Sequence, residues 1–115
     1  MKTLEDNIVA KNWPAAFKNS NRLAELEPRS FKARLYRANV LFTIGRLNDA
    51  ISEYKVALTL SPSNPSAVSN LGLACFENKD YAQAKEALET AVKYDPNNKM
   101  LQEKLDQANR ALIPK

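Results

Sequence analysis

The sequence KDYAQAKEALETAVKYDPNN, residues 79–98, is the best guide to the fold because its pattern occurs three times in the chain. Residues 16–28, 50–62 and 84–96 each begin with an alanine and end with a proline, and the interval from each copy to the next is the same. Self-similarity at a fixed period of this size is the sequence signature of a repeat protein. We therefore expect one structural unit that is used three times.

Each copy has the pattern of two helices joined by a tight turn. In the second half of the last copy, apolar residues fall at Ala84, Leu88, Ala91 and Val92, the spacing that one face of an α-helix requires. The proline that closes each copy cannot continue a helix and disfavours helical geometry at the residue before it. Gly45 marks the turn between the two helices of the middle copy. The sequence predicts helical hairpins.

Small and bulky residues recur at fixed places in each copy, and together they explain how the predicted helices pack against each other. Two helices approach closely only where one presents a methyl-sized side chain, and the repeated alanine supplies it. Trp13, Leu47 and Tyr81, each three residues before that alanine, are placed to fill the space beside the turn. A single hairpin cannot cover its own apolar face, so about three such repeats are needed for stability.

These features together resemble the tetratricopeptide repeat (TPR) family. The last copy, VSNLGLACFENKDYAQAKEALETAVKYDP, carries Gly72, Tyr81, Ala84, Ala91 and Pro96 at positions that the family favours. The middle copy, RLYRANVLFTIGRLNDAISEYKVALTLSP, matches well and the first copy matches in part. The resemblance implies an all-α fold, a right-handed α-solenoid of three TPR helix hairpins plus a C-terminal capping helix.

The resemblance also sets the expected boundaries. We expect a single TPR domain over residues 1–115, with repeats at approximately 1–30, 31–64 and 65–98 and a capping helix at 99–113. Counting a short first helix from about Thr3, this makes seven helices. The capping helix is expected to bury a stripe made of Leu101, Leu105, Ala108 and Leu112.

Members of the TPR family bind peptides in a concave groove, formed mainly by the first helix of each repeat. The resemblance implies that this chain is a non-enzymatic protein–protein interaction module, an adaptor or co-chaperone-like scaffold. The groove positions of the family fall here on Lys32, Tyr36, Asn39, Phe42, Ser66, Asn70, Leu73, Phe76, Lys104 and Gln107. The truncated first helix adds Lys2, Glu5, Ile8 and Val9.

The residue types at these positions suit peptide recognition. Asn39 and Asn70 can each donate and accept a hydrogen bond, as a peptide backbone requires. The aromatic members offer rigid apolar area. Lys32 and Lys104 suit an acidic side chain or a terminal carboxylate. Simple solvation of the polar residues and core packing of the aromatic ones remain open at each position.

Some TPR co-chaperones hold the C-terminal carboxylate of Hsp70 or Hsp90 in a clamp of two lysines, two asparagines and an arginine. The resemblance places these five positions at Leu35, Asn39, Asn70, Met100 and Lys104. The two asparagines match, and a lysine replaces the arginine. The chain is therefore predicted to have at most a degenerate clamp, a weaker alternative to a general peptide groove.

Composition limits the chemistry that the chain can perform. It has no histidine and one cysteine, so it lacks the commonest general base and the commonest metal ligand, and we expect no enzyme, cofactor or metal site. Cys75 is expected to be a small buried hydrophobe. Glu5 and Asp6 stand where a signal peptide would be apolar, which predicts a cytoplasmic protein, and no apolar run is long enough for membrane insertion.

The net charge of +4 is concentrated at the N-terminal end. Residues 1–38 hold eight Lys or Arg and four Asp or Glu, whereas residues 39–115 carry nine of each sign. Such a patch attracts anions, but no nucleic-acid motif is present, and we expect no nucleic-acid partner. Arg37 stands where the family usually has leucine, and the sequence leaves open whether it pairs with an acid or lines the surface.

A structural role is the alternative function. Because the first repeat begins short, its apolar side could need another copy of the chain or the rest of a longer protein to cover it. This alternative predicts a homo-oligomer or a unit that docks within a larger complex.

Overall fold

The computed structural model describes residues 13–114, apart from the side chain of Trp13, and this part of the chain contains six α-helices and no strand. The all-α class is confirmed. The helix predicted from about Thr3, with Lys2, Glu5, Ile8 and Val9, lies outside the described residues. The helices are α1 Trp13–Leu26, α2 Phe31–Thr43, α3 Leu47–Leu60, α4 Pro65–Glu77, α5 Tyr81–Tyr94 and α6 Lys99–Ala111.

Each of the helices α2, α4 and α6 begins at a side-chain cap, and the caps recur with the repeat period. Ser30, Asn64 and Asn98 occupy the same place in successive repeats, and each accepts a hydrogen bond from the backbone N–H three residues further on, at 3.2, 3.1 and 3.2 Å. A cap of this kind contributes about 1 kcal/mol to stability. The prolines at 28, 62 and 96 follow α1, α3 and α5, as predicted.

The turns inside the hairpins share one backbone conformation. Gly45, between α2 and α3, has a φ of +86°, and Lys79, at the same position of the next repeat, has a φ of +63°. The left-handed region is readily open to glycine but costs other residues free energy. The repeat geometry therefore requires this conformation even where the sequence supplies a lysine.

The chain forms two compact units, Met1–Pro62 and Ser63–Lys115. In the first unit α2 packs against α3 through small residues. Ala38, Ala50 and Ala57 are fully buried, and the ring of Tyr54 is 1% exposed beside them. The alanines of the repeat thus let the two helices approach closely, as the sequence predicts. The prediction of one domain over 1–115 stays a prediction.

In the second unit α4 meets α5 at a position without a side chain. A Cβ atom added to Gly72 would lie 2.9 Å from both Cγ and Cδ2 of Leu88, which is itself fully buried. Cys75 is buried, as predicted. The close approach of the two helices therefore favours a residue without a side chain at position 72.

The cap helix α6 packs on α5 and α4 with part of the predicted stripe. Leu101 and Ala108 are buried and Leu105 is half-buried, but Leu112 is 43% exposed, so its place in the buried stripe was wrongly predicted. The reason is that α6 ends at Ala111 and Leu112 is the residue that closes it. The helical period used for the prediction no longer applies there.

Candidate peptide-binding surfaces

The first candidate surface lies on α2 and consists of Lys32, Tyr36, Asn39 and Phe42. Their spacing places them on one side of the helix. Lys32 is exposed and the other three are half-buried, so each presents part of its side chain to solvent. The Nζ atom of Lys32 lies 5.6 Å from the centre of the Tyr36 ring, within range of a cation–π contact. The first surface therefore combines a cation, an aromatic ring and an amide.

A buried tyrosine orients the amide of this surface. The hydroxyl of Tyr54, on α3, donates to Oδ1 of Asn39 at 2.5 Å. Because Tyr54 is 1% exposed, the amide is held from the core side of the helix. The sequence alone did not identify Tyr54 as a partner of Asn39. The available signal was that a buried tyrosine hydroxyl usually finds a polar partner.

The second candidate surface repeats these positions on α4, as Ser66, Asn70, Leu73 and Phe76. Ser66 is exposed, and the other three are half-buried. The Phe76 ring packs edge-on against Tyr81 of α5, with centroids 5.6 Å apart and planes inclined at 73°. This contact fixes the ring, so Phe76 is a rigid apolar element.

The cap helix contributes a cation to the second surface. The Nζ atom of Lys104 lies 4.7 Å from the centre of the Phe76 ring, so the structure brings these two predicted residues together. Gln107 lies exposed about one turn further along α6. The predicted groove that joins the surfaces on α2 and α4 stays a prediction.

The positions of the carboxylate clamp are only partly polar. Leu35 is half-buried on α2, and Met100, near the start of α6, is 48% exposed. Neither can donate a charged hydrogen bond, although the clamp of the family has lysine at both. Of the five clamp positions, Asn39, Asn70 and Lys104 therefore carry a polar side chain and the other two do not.

A polar cluster that sequence reasoning did not assemble lies in the first unit. Glu53 of α3 is 4% exposed and accepts from two arginines of α2: Nη1 of Arg34 at 2.8 Å, and Nη1 of Arg37. The Nε of Arg37 also donates to Oδ1 of Asn21 at 2.7 Å, and that of Arg34 donates to the carbonyl of Pro28 at 3.0 Å. Arg37 therefore pairs with a buried acid while its side chain stays 29% exposed, so it does both of the things that the sequence left open.

Residues 13–114 show no cluster of three or more His, Cys, Asp or Glu side chains that could hold a metal ion. Among the helices described, none has the length and apolar character needed to cross a membrane.

Two comparisons identify sequence relatives. A family model described as "Tetratricopeptide repeat" matches residues 45–108, and a second with the same description matches residues 10–65. Small glutamine-rich tetratricopeptide repeat-containing protein 2 of Mycosarcoma maydis is 33% identical over 91% of this chain and 30% of that protein. The Hsp70-Hsp90 organizing protein of Triticum aestivum is 26% identical over 90% of this chain and 19% of that protein. The chain thus spans less than a third of the length of these curated relatives.

Solved structures match the fold closely. The first TPR of Spaghetti (RPAP3), solved with the HSP90 peptide SRMEEVD, superposes with a TM-score of 0.88 at 22% identity, over 95% of this chain and 86% of that one. The MamA protein superposes with a TM-score of 0.87 at 20% identity, over 95% of this chain and 60% of that one. At this identity the likeness establishes the fold.

Proposed function

Because the chain belongs to the tetratricopeptide repeat family, we propose that it is a non-enzymatic protein-interaction module that binds a peptide segment of a partner protein. The observation that carries the proposal is the repetition of one polar and aromatic pattern on α2 and on α4. Both helices present a polar residue at the first position and a phenylalanine at the last, each at least partly exposed to solvent, and each helix adds one asparagine at one of the two positions between them. Side chains needed only for the core would not recur on the solvent side.

The two surfaces offer the contacts that an extended peptide needs. The amides of Asn39 and Asn70 can pair with backbone groups, and Phe42 and Phe76 supply apolar area. Binding would bring a peptide to side chains that are already ordered, since Tyr54 holds Asn39 and Tyr81 packs on Phe76. Ordering before binding lowers the entropic cost of association.

An adaptor or co-chaperone-like role follows as the finer part of the proposal. The relatives include an Hsp70-Hsp90 organizing protein and a small glutamine-rich TPR protein, and the match is confined to a part of each. Lys32 and Lys104 favour a partner segment with acidic side chains. We place this interaction in the cytoplasm.

A binding assay with the peptide SRMEEVD tests the proposal, because a TPR structure of the same fold carries it. Fluorescence anisotropy of the labelled peptide should give a dissociation constant in the micromolar range, which corresponds to a binding free energy of about −8 kcal/mol. The double variant Asn39→Ala and Asn70→Ala should weaken binding about tenfold or more. Asn97→Ala, which removes an exposed asparagine outside both surfaces, should change it less than about twofold.

Two outcomes would count against the proposal. Full binding by the double variant removes the two amides from the site, and no binding of this or any other acidic peptide argues against a peptide groove.

The same peptide with an amidated C-terminus tests the carboxylate clamp. Because Leu35 and Met100 replace two lysines, we expect amidation to weaken binding less than about threefold.

The structural alternative makes a different prediction. A self-assembling unit would sediment as a species heavier than the 12.9 kDa chain at high protein concentration. We expect a monomer if peptide binding is the function. A concentration-dependent rise in mass would favour the homo-oligomer.

A further inference from the structure

The polar trio of the first unit, Arg34, Arg37 and Glu53, stands where the last repeat is apolar. The residues found one repeat further on are Val68, Leu71 and Ala87. Replacing a buried ion pair by apolar residues of suitable size is often neutral or stabilising, since burial of charge is costly. The last repeat shows that this fold accepts the apolar solution. Stability alone therefore does not account for the trio.

Hydrogen bonds hold both guanidinium groups of the trio in position, and some of their N–H donors remain unused. Arg34 donates through Nε to the Pro28 carbonyl and through Nη1 to Glu53. Arg37 donates through Nε to Asn21 and through Nη1 to Glu53. In both arginines the Nη2 group has no partner among the residues that the structure describes. Two ordered guanidinium groups with unused N–H donors are preorganised to bind a hydrogen-bond acceptor.

Arg34 and Arg37 line an open cleft of about 450 Å³ in the first unit. The side chains of Arg34 and Arg37 are 23% and 29% exposed, whereas that of Glu53 is 4% exposed and does not line the cleft. The lining residues are Asn21, Ala24, Glu25, Pro28, Arg34 and Arg37. Donors outnumber available acceptors in this lining. The Pro28 carbonyl already accepts a hydrogen bond from Arg34, and Glu25 is the one acidic residue of the lining.

We propose that this cleft binds a side-chain carboxylate of an acidic peptide, through residues that belong to neither candidate surface. The planar fork of arginine matches a carboxylate. The charges of Arg34, Arg37, Glu53 and Glu25 balance to zero, so the cleft supplies no net positive charge to offset the second negative charge of a phosphate. The surplus of basic residues over positions 1–38 attracts acidic segments to this end of the chain.

The test is a nuclear magnetic resonance titration of the whole chain with N-acetyl hexaglutamate amide. Because the Nε groups of Arg34 and Arg37 are hydrogen-bonded, their Nε–Hε signals should be resolved and should shift in a saturable way. The triple variant Arg34→Val, Arg37→Leu and Glu53→Ala installs the residues of the last repeat. It leaves no unpaired buried charge, so it should fold, and it should bind the peptide about tenfold more weakly or worse.

Arg46→Gln is the matched control, since it and the triple variant each lower the net charge of +4 by one. Arg46 lies over the Phe17 ring and pairs with Asp49, outside the cleft, so its loss should change affinity less than about twofold. Unchanged binding in the triple variant, equal weakening in the control, or unmoved arginine signals up to about 10 mM peptide would each overturn the proposal. If inorganic phosphate half-saturated these shifts at a lower concentration than the peptide did, the choice of a carboxylate would be overturned.

Discussion

Gly72 gives the sharpest test of how the helices pack. Glycine inside a helix is normally unfavourable, so replacing it by alanine should by helix propensity alone stabilise the chain by about 1 kcal/mol. Here the new Cβ atom would lie 2.9 Å from two side-chain atoms of Leu88 and 3.3 Å from its backbone nitrogen. Leu88 is fully buried, so it can move away only by displacing neighbouring side chains of the packed core. Overpacking of this kind costs about 1–3 kcal/mol.

We therefore expect Gly72→Ala to lower the free energy of unfolding by about 1 kcal/mol, once propensity is set against overpacking. Urea unfolding followed by circular dichroism measures it, with an unchanged m-value as the check for two-state behaviour. A double-mutant cycle with Leu88→Ala should show a favourable coupling of about 1 kcal/mol, because the shortened side chain makes room for the methyl group.

A matched control comes from the same repeat position in α2, where Ala38 is fully buried. Ala38→Gly should destabilise the chain by about 1–2 kcal/mol, since it loses helix propensity and a buried methyl group. If Gly72→Ala instead raised the stability by the full propensity value and showed no coupling to Leu88, the close approach of α4 and α5 would be refuted.

Three further predictions concern stability and use the same unfolding assay. Gly45→Ala should lower the free energy of unfolding by about 1 kcal/mol through backbone strain at φ +86°, because no atom lies within 4 Å of the added Cβ to cause a clash. Lys79→Gly, at the same repeat position, should be neutral or stabilising. A stabilised Gly45→Ala variant would contradict this reasoning. Glu53→Ala should cost about 2 kcal/mol by leaving two arginines without their acid, and a neutral result would argue against the buried ion pairs. Asn64→Ala should cost about 1 kcal/mol by removing the cap of α4, with exposed Asn97→Ala as the neutral comparison.

The sequence was sufficient for features that depend on local chemistry or on the repeat. The prolines at 28, 62 and 96 located the ends of α1, α3 and α5, because proline restricts its own neighbourhood. The constant interval between these prolines located the hairpins and identified the family. The burial of Cys75 followed from the general tendency of free cysteine to be buried.

Other features depend on contacts between residues distant in the sequence, and no local pattern carries them. Arg37 finds Glu53 on the next helix and Asn21 on the helix before, and Lys104 of α6 reaches Phe76 of α4. The exposure of Leu112 depends on where α6 ends, and a helical period gives no information about that endpoint. Fold and candidate positions could be predicted, but the partners that orient the side chains could not.

The most direct test of the proposed peptide-binding role is the position of a bound peptide on the chain. A spin label on the SRMEEVD peptide broadens nuclear magnetic resonance signals of nearby protein groups. We predict broadening of the side-chain amide signals of Asn39 and Asn70, with that of Asn97 unaffected. Broadening that spared both asparagines while the peptide was bound would contradict the assignment of the α2 and α4 surfaces to peptide binding.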